Sequence, residues 1–217
     1  MHILGTTLML EDPTVNEVQH RVNAGWKMFH ALRSMLLRKA SSQRKRLRLF
    51  DSTVGSCVLW CAQSWSLRSE EVSLLQKTQR TMLRKVVPFA RRDDEDYVEW
   101  IRDATRRAER AGRNAGVRMW SESHYHSKWS WAGRVARQPW NIWHRRVALW
   151  RDSDWQTTVD ELGQWRPFRP SRRRWTKWED PLRRFASAEG YSSWSNLAQD
   201  RESWRSLTDK FANRNAK

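Results

Sequence analysis

The feature that most constrains the fold is an apolar residue that recurs every three or four positions across the first half of the chain. The first such stripe consists of Val15, Val18, Val22, Phe29, Leu32 and Leu36. Side chains spaced in this way share one face of an α-helix, and that face needs a partner helix to bury it. Gly25 falls on the same face, where it would let a neighbouring helix approach closely. The spacing therefore predicts a helix packed within a bundle.

Three further stripes extend the predicted bundle over residues 12–116. The second consists of Leu47, Phe50, Val54, Cys57, Cys61 and Trp65. The third lies between a start at Ser69 and a stop at Pro88, and it consists of Val72, Leu75, Met82 and Val86. The fourth follows the acids at 93–96, which suit a helix N-terminus, and it consists of Tyr97, Ile101, Ala104 and Ala108. Four consecutive stripes predict four consecutive helices.

Weaker patterns lie on either side of this bundle. Residues 2–10 are apolar and predict one strand or half of a hairpin. Beyond residue 117 the sequence predicts helices at 123–137, 140–151, 154–162, 178–188 and 193–213, with a basic loop at 164–174. The expected fold class is mainly α, a helical bundle with a short N-terminal β segment and a Trp/Arg-rich helical C-terminal region. The expected domains are 1–11, 12–116 and 117–217.

The charge of the chain predicts an anionic partner. Lys and Arg number 41 against 24 Asp and Glu, which gives a formal net charge of +17. RNA or DNA is the commonest partner for such a chain, and an anionic membrane is the rival. No run approaches the roughly 20 apolar residues of a membrane-spanning helix, and the N-terminus does not resemble a signal peptide. An intracellular chain that does not span a membrane is expected.

No enzyme signature is complete in this sequence. The glycines are isolated, so no phosphate-binding loop is present. The acids at 93–96, and the pair Glu179 and Asp180, are candidate Mg²⁺ ligands; helix capping explains the first group better, and balance of nearby arginines explains the second. Cys57 and Cys61 are expected to be buried thiols, because a metal would need two more ligands. No catalytic residue, metal or cofactor is expected.

Basic and aromatic residues alternate in two blocks, KWSWAGRVAR at 128–137 and RPSRRRWTKW at 169–178. Lys and Arg neutralise phosphates, and an exposed Trp can stack on an unpaired base. The Trp residues either form a core or stack on bases. Four cations also crowd the start of the second helix. The candidate nucleic-acid contacts are Arg44, Lys45, Arg46, Arg48, Lys128, Arg134, Arg137, Arg169, Arg172, Arg173, Arg174, Trp175 and Lys177.

Several segments, in order, resemble the end of the pol protein of non-LTR (LINE-type) retrotransposons. Ile3-Leu4-Gly5 resembles the "YLG" hairpin that follows the polymerase palm, and residues 47–65 are similar to "LxLYxxxVxPxLLYGxExW". Residues 20–29 resemble "RI…AWxAF", and residues 79–86 resemble "xxRMLRxIL". Farther on, residues 128–137, 169–180 and 194–205 resemble "RxRWxGHVxR", "RPxxRWxD" and "WxxLAQDRxxWR". Ser56, Cys61, Gln63 and Arg134 depart from the usual Pro, Gly, Glu and His.

The resemblance implies the thumb and C-terminal tail of an RNA-directed DNA polymerase, with residues 1–11 as the end of a palm hairpin. The Asp-Asp box of that family would lie before residue 1, so no catalytic residue is carried over. The implied function is to position a template–primer duplex or target DNA, in the nucleus. Two alternatives stay open: an accessory chain that is active only with a palm-containing reverse transcriptase chain, and an inert translated relic of a retroelement.

Overall fold

The computed structural model describes residues 2–3, 6–7, 13–149, 157–159, 165–167 and 177–216. These residues are mainly helical, which confirms the expected fold class at that level. They form two compact units. The first unit comprises Met1–Lys128 together with Ala212–Lys217, and the second comprises Trp129–Phe211.

The first unit contains seven labelled helices in its described residues, the last of which continues into the second unit, and it also contains the end of the helix at 208–215. They are α1 (Pro13–Ala31), α2 (Arg33–Leu36), α3 (Gln43–Phe50), α4 (Ser56–Val58), α5 (Ser69–Val86), α6 (Tyr97–Ala115) and α7 (Trp120–Ala136). A π-helical turn, Asp51–Gly55, joins α3 to α4, and a 3-10 turn, Ala62–Ser64, follows α4. Two short strands, β1 (His2–Ile3) and β2 (Thr6–Thr7), pair antiparallel.

The core of the first unit follows the apolar stripes. Helix α5 has its predicted start at Ser69 and ends two residues before Pro88, and all four residues of its stripe are buried. Helix α1 buries Val18, Val22 and Phe29. A Cβ built on Gly25 would collide with the Val58 side chain of α4. This contact confirms the close helix neighbour that was predicted at Gly25.

The second stripe departs from the prediction halfway along. The predicted helix does not continue through residue 61, because Cys61 adopts a left-handed conformation with φ of 56°. The π-helical turn adds a residue to the helical turn and rotates the side chains that follow it. Val58 and Ala62 therefore enter the core, whereas the Cys57 and Cys61 thiols are free and half-buried. The prediction of two buried thiols was wrong.

The ends of α1 and α6 also differ from their stripes. Val15 and Tyr97 are exposed, since each lies in the first turn of its helix, before the helix reaches its neighbours. Of the acids at 93–96, Asp96 is the N-cap of α6, and its carboxylate accepts hydrogen bonds from the Val98 and Glu99 amides at 2.8 and 3.1 Å. The capping interpretation is therefore confirmed at Asp96.

The second unit contains the end of α7 and a series of shorter elements. They are α8 (Trp143–Leu149), β3 (Thr157–Val159), β4 (Trp165–Pro167), α9 (Asp180–Ala188), α10 (Trp194–Leu197), α11 (Arg201–Ser206) and the start of α12 (Thr208–Asn215), whose residues from Ala212 onward belong to the first unit. Strands β3 and β4 pair antiparallel, with Thr158 opposite Arg166. The helix predicted at 154–162 is thus corrected, because three consecutive β-branched residues at 157–159 favour a strand. The basic loop predicted at 164–174 is corrected at 165–167, which form β4.

The helix predicted at 193–213 is three helices in the structure. Ser193 caps α10, because its hydroxyl accepts a hydrogen bond from the Asn196 amide at 3.1 Å. Asp200 then caps α11 by accepting from the Glu202 and Ser203 amides at 2.9 and 3.3 Å. A second cap within a few residues begins a new helix axis, which interrupts the predicted run.

Aromatic rings form the core of the second unit. The Trp129 and Trp204 rings stack with centroids 3.6 Å apart and planes 7° apart. Each indole N–H donates to the other residue's carbonyl oxygen, at 2.8 Å from Trp129 and 3.2 Å from Trp204. Phe185 and Phe211 pack against the Trp129 ring at 5.2 and 4.5 Å. Trp129, from the first predicted basic block, is therefore a core residue.

The start of α7 belongs to the first unit through two ring stacks. Trp120 stacks on Phe50 and His124 stacks on Trp65, each with centroids 5.9 Å apart. These contacts hold residues 120–128 in the first unit, so the compact units divide the chain later than the domain boundary expected at residue 116.

Candidate nucleic-acid interface

A cleft in the first unit gathers cations from two parts of the sequence. It has a volume of about 520 Å³, a size typical of ligand sites. Helix α3 and the loop before it form one side, and α6 with the segment after α5 forms the other. Its lining residues are Lys39, Gln43, Arg46, Val87, Pro88, Phe89, Arg107, Arg110, Ala111 and Asn114. We call it the basic cleft.

Backbone carbonyls fix the position of Arg46 at the base of the basic cleft. Its Nη1 donates to the Leu36 carbonyl at 3.1 Å and to the Val86 carbonyl at 2.7 Å, so it ties together the C-terminal ends of α2 and α5. Cations suit the carbonyl-bearing ends of helices. Its Nε is buried and has no hydrogen-bond partner among the described residues. Arg46 thus stabilises the packing of α2 and α5, and it also lines the basic cleft.

An aromatic contact fixes the opposite side of the basic cleft. The Arg107 guanidinium lies over the Phe89 ring, 4.1 Å from its centroid, a favourable cation–π arrangement. The Trp100 indole N–H donates to the Phe89 carbonyl at 3.1 Å, which holds the segment after α5 against α6. The Arg107 side chain is therefore held at the cleft rather than free to swing away.

The electrostatics of the basic cleft favour an anion. Four of its described lining residues are cations, namely Lys39, Arg46, Arg107 and Arg110, and none is Asp or Glu. Like charges around one cavity repel one another unless an anion neutralises them. Gln43 and Asn114 add side-chain amides that can bond to neutral oxygens. The cleft can therefore bind phosphate oxygens together with neighbouring hydroxyls.

Comparison of the chain with protein-family models, curated proteins and solved structures finds no match. No helix among the described residues has the length and apolar character needed to cross a membrane.

Three of the cations expected on α3 lie beside Arg46 in the sequence and are exposed. They are Arg44, Lys45 and Arg48. Ser42 caps this helix by accepting from the Lys45 amide at 3.4 Å, and Arg48 Nε donates to the Ala115 carbonyl at the end of α6 at 3.4 Å. Helix α3 thus presents cations both to solvent and to the basic cleft.

Lys128 was expected to contact nucleic acid, and its position corrects that expectation. Its side chain is fully buried, and its Nζ donates to the Trp65 carbonyl at 2.6 Å. An ammonium enclosed in this way does not reach a phosphate. Burial, and then the charge of Lys128, lower the pKa of the neighbouring His124 well below its ordinary value. Lys128 therefore belongs to a polar cluster inside the first unit.

Arg134 and Arg137, in the second unit, differ in exposure. Arg134 is exposed, whereas Arg137 is half-buried and donates to the Ala198 carbonyl at 2.6 Å. Burial, together with the positive charges of Arg201 and Arg205, lowers the pKa of the Arg137 guanidinium. Arg201 and Arg205 therefore lie close enough to Arg137 to act on its charge, and the three arginines form a second group of cations.

The remaining expected contacts lie largely outside the described residues. These are Arg169, Arg172, Arg173, Arg174 and Trp175, whereas Lys177 is described and exposed. Glu179 accepts from Arg183 at 2.7 Å and from the Trp194 indole at 3.1 Å, as expected for an acid that balances arginines. Within the described ranges, no group of three or more His, Cys, Asp or Glu residues is arranged to hold a metal ion.

Sequence reasoning missed Lys39, Arg107 and Arg110. The signal in the sequence was the series Arg106, Arg107, Arg110 and Arg113, whose spacing places cations along one side of α6. That series alone predicts only a solvated helix face. The arginines of α6 lie near Lys39 and Arg46 only because α3 packs against α6. That packing brings together residues about 70 positions apart in the sequence.

Proposed function

We propose that this chain binds nucleic acid, and that the basic cleft holds the phosphate backbone. The observation that carries the proposal is a cleft with four cations and no carboxylate among its described lining residues. Phosphate contacts give affinity and fix register without reading sequence. The formal charge of +17 supports a large polyanion rather than a single small anion as the ligand.

The resemblance to non-LTR retrotransposon pol proteins refines this proposal. In that interpretation residues 12–116 are a thumb that positions a template–primer duplex, and residues 1–11 are the end of a palm hairpin. Residues 117–217 then hold RNA or target DNA, with Arg172, Arg173 and Arg174 as phosphate contacts. A palm-containing reverse transcriptase chain is the proposed protein partner, and the nucleus is the proposed location.

The test is a salt-dependent titration of the full chain with an RNA–DNA duplex. The cleft variant carries Lys39→Gln, Arg107→Gln and Arg110→Gln. Arg46 is left intact because it also bonds to the Leu36 and Val86 carbonyls. Each lost phosphate contact removes about 0.9 from the slope of log K against log salt, so we expect the variant to lower the slope by about 2–3.

The matched control carries Arg33→Gln, Lys77→Gln and Arg102→Gln. These are three exposed cations of the same unit that do not line the cleft, and the change in net charge is identical. We expect this control to keep the wild-type slope. Equal losses in both variants would show that the cleft is only part of a diffuse positive surface. Absence of any salt-dependent binding by the wild type would refute nucleic-acid binding itself.

A further inference from the structure

Among its described residues, the second unit exposes two large tryptophan side chains and buries others. Trp140 is 57% exposed and Trp143 is 74% exposed, and Val147, one turn after Trp143 on α8, is 72% exposed. Trp129, Trp194 and Trp204 of the same unit are buried. Tryptophan loses much hydrophobic stabilisation when it remains in water, so a cluster of exposed rings is typical of a binding surface.

An arginine side chain lies beside each of the two exposed tryptophan rings. The Arg145 guanidinium carbon lies 5.5 Å from the Trp140 ring centroid, and that of Arg146 lies 5.4 Å from the Trp143 ring centroid. Arg145 Nη1 donates to the Gln138 carbonyl, and Arg146 Nε donates to the Trp140 carbonyl at 3.0 Å. These bonds hold the guanidinium groups beside the rings. Nη1 and Nη2 of Arg146 have no hydrogen bond to any described residue and can donate to an anion.

The sequence around this surface is positive over a long stretch. Between Glu122 and Asp152 there is no Asp or Glu. The turn before α8 is closed by a hydrogen bond from the Ile142 amide to the Pro139 carbonyl at 3.1 Å. That turn fixes Trp140 just before the helix that carries Trp143. Rings and cations are therefore held together on one short segment.

We propose that Trp140 and Trp143 form a stacking platform for unpaired bases of single-stranded nucleic acid, with Arg145 and Arg146 beside its phosphates. This inference rests on the proposed function and adds a second kind of contact to it. Ring faces of bases are available in single strands, whereas a duplex stacks them internally. Arginine on an aromatic ring adds a cation–π contribution in such sites.

An anionic membrane surface suits these features less well. Membrane-surface helices owe their binding to a long apolar face, and many span 20–30 residues. The described part of helix α8 spans seven residues, Trp143–Leu149, or about two turns. An interfacial helix of this length buries little apolar area. Two rings with an arginine beside each match a short run of bases and phosphates more closely.

The test compares two single strands with the same number of phosphates, oligodeoxythymidylate and an abasic strand of equal length. Both are titrated with the full chain, by anisotropy of a dye on the strand. Each stacked base is worth roughly a factor of 5 to 150 in affinity. We therefore expect the wild type to bind the base-containing strand at least about ten-fold more tightly than the abasic strand.

The variant Trp140→Leu with Trp143→Leu should lose this preference and keep its affinity for the abasic strand. The pair Trp140→Phe with Trp143→Phe should keep part of it, because a smaller ring still stacks. Trp60→Leu is the matched control, since Trp60 is 54% exposed and lies in the first unit, and it should leave the preference unchanged. Far-ultraviolet circular dichroism checks that each variant is folded.

The outcomes separate the platform from nucleic-acid binding in general. Salt-dependent binding of both strands with equal affinity would overturn the platform and leave the proposed function standing. The platform would also fail if the preference persists in the Leu variant, or if the Trp60 control loses it. Equal affinity for both strands, together with Trp140- and Trp143-dependent binding to phosphatidylserine vesicles, would assign the surface to a membrane instead. Failure to bind either strand would overturn the platform, whereas the duplex titration alone decides the proposed function.

Discussion

The first unit builds its core mainly from side chains that follow helical spacing, whereas the second builds its core from stacked rings. In the first unit, Val18, Leu75 and Met82 are buried along stripes that are visible in the sequence. In the second, the stacked pair of Trp129 and Trp204 takes the central place. Tryptophan is therefore a core residue at some positions and a surface residue at others, and its local sequence context does not distinguish the two.

Arginine shows a parallel contrast between the units. In the first unit, cations from distant segments line one cleft, where Arg107 lies over Phe89. In the second, Arg145 and Arg146 lie beside tryptophans of their own short segment. The first arrangement suits phosphates alone, and the second suits phosphates together with unpaired bases. Under the two proposals, the units would therefore offer different contacts to nucleic acid.

The largest expected effect separates core from surface tryptophan. Trp129→Ala removes the stack on Trp204 and the hydrogen bond to its carbonyl, so the free energy of unfolding should fall by about 3–5 kcal/mol. Trp143→Ala, at an exposed position, should change it by less than about 0.5 kcal/mol. Chemical denaturation measures both. Equal losses would mean that the aromatic core is wrongly placed.

A smaller effect is expected at the glycines where elements approach most closely. Ala at Gly25 would collide with Val58, and Ala at Gly133 would collide with the Trp204 ring. Overpacking of this kind costs about 1–3 kcal/mol. Gly112→Ala is the matched control, because its Cβ would lie 3.8 Å from Val117 in ordinary contact.

Since Ala favours a helix over Gly by about 1 kcal/mol, the control should leave stability unchanged or raise it. Thermal unfolding of the three variants gives the order. A stable Gly133→Ala protein would argue against the close approach of α7 to Trp204. A destabilised Gly112→Ala protein would argue instead against the packing of α6.

The smallest expected effect is a dependence of stability on pH, which arises from a histidine in the first unit. Burial, and then Lys128, lower the pKa of His124 well below its ordinary value of 6.5, and the Ala62 carbonyl, which accepts from Nδ1 at 2.8 Å, opposes them. The unfolded chain takes up this proton near pH 6.5 while the folded chain does not. Stability should therefore fall as the pH drops below about 6.5, by up to about 1.4 kcal/mol per pH unit.

His124→Gln removes the titrating group and keeps a donor for the Ala62 carbonyl, so its unfolding free energy should lose this part of the pH dependence. His144→Gln, at an exposed position of the second unit, should follow the wild-type profile. Urea unfolding at a series of pH values measures the slopes. Parallel profiles for the wild type and His124→Gln would contradict the assignment of a buried neutral His124.

Local signals predicted α5 well. Its stripe, its start at Ser69 and the stop at Pro88 all act within a few residues, so the sequence contains them in full. The π-helical turn was not predictable in this way. It moves Cys57 and Cys61 out of the core and Val58 and Ala62 into it, and it depends on how the helix packs against its neighbours.

The sequence predicted the positive charge of the candidate site, but it predicted only some of the residues that form it. Excess positive charge predicted an anionic partner, and Arg46 was correctly placed at the start of α3, where it now lines the basic cleft. The prediction that Lys128 contacts nucleic acid was wrong, because a lysine beside tryptophans has the same local sequence whether it is buried or exposed. Lys39 and Arg107 were missed because only the packing of α3 against α6 brings them together.

The most direct test of nucleic-acid binding at the basic cleft is photo-crosslinking of the full chain to an RNA–DNA duplex. A photoreactive amino acid replaces Asn114, which lines the cleft, or Asn23, an exposed asparagine of α1 in the same unit. We expect a covalent product with the duplex from position 114 and little from position 23. Equal products from both positions, or a product from position 23 alone, would contradict it.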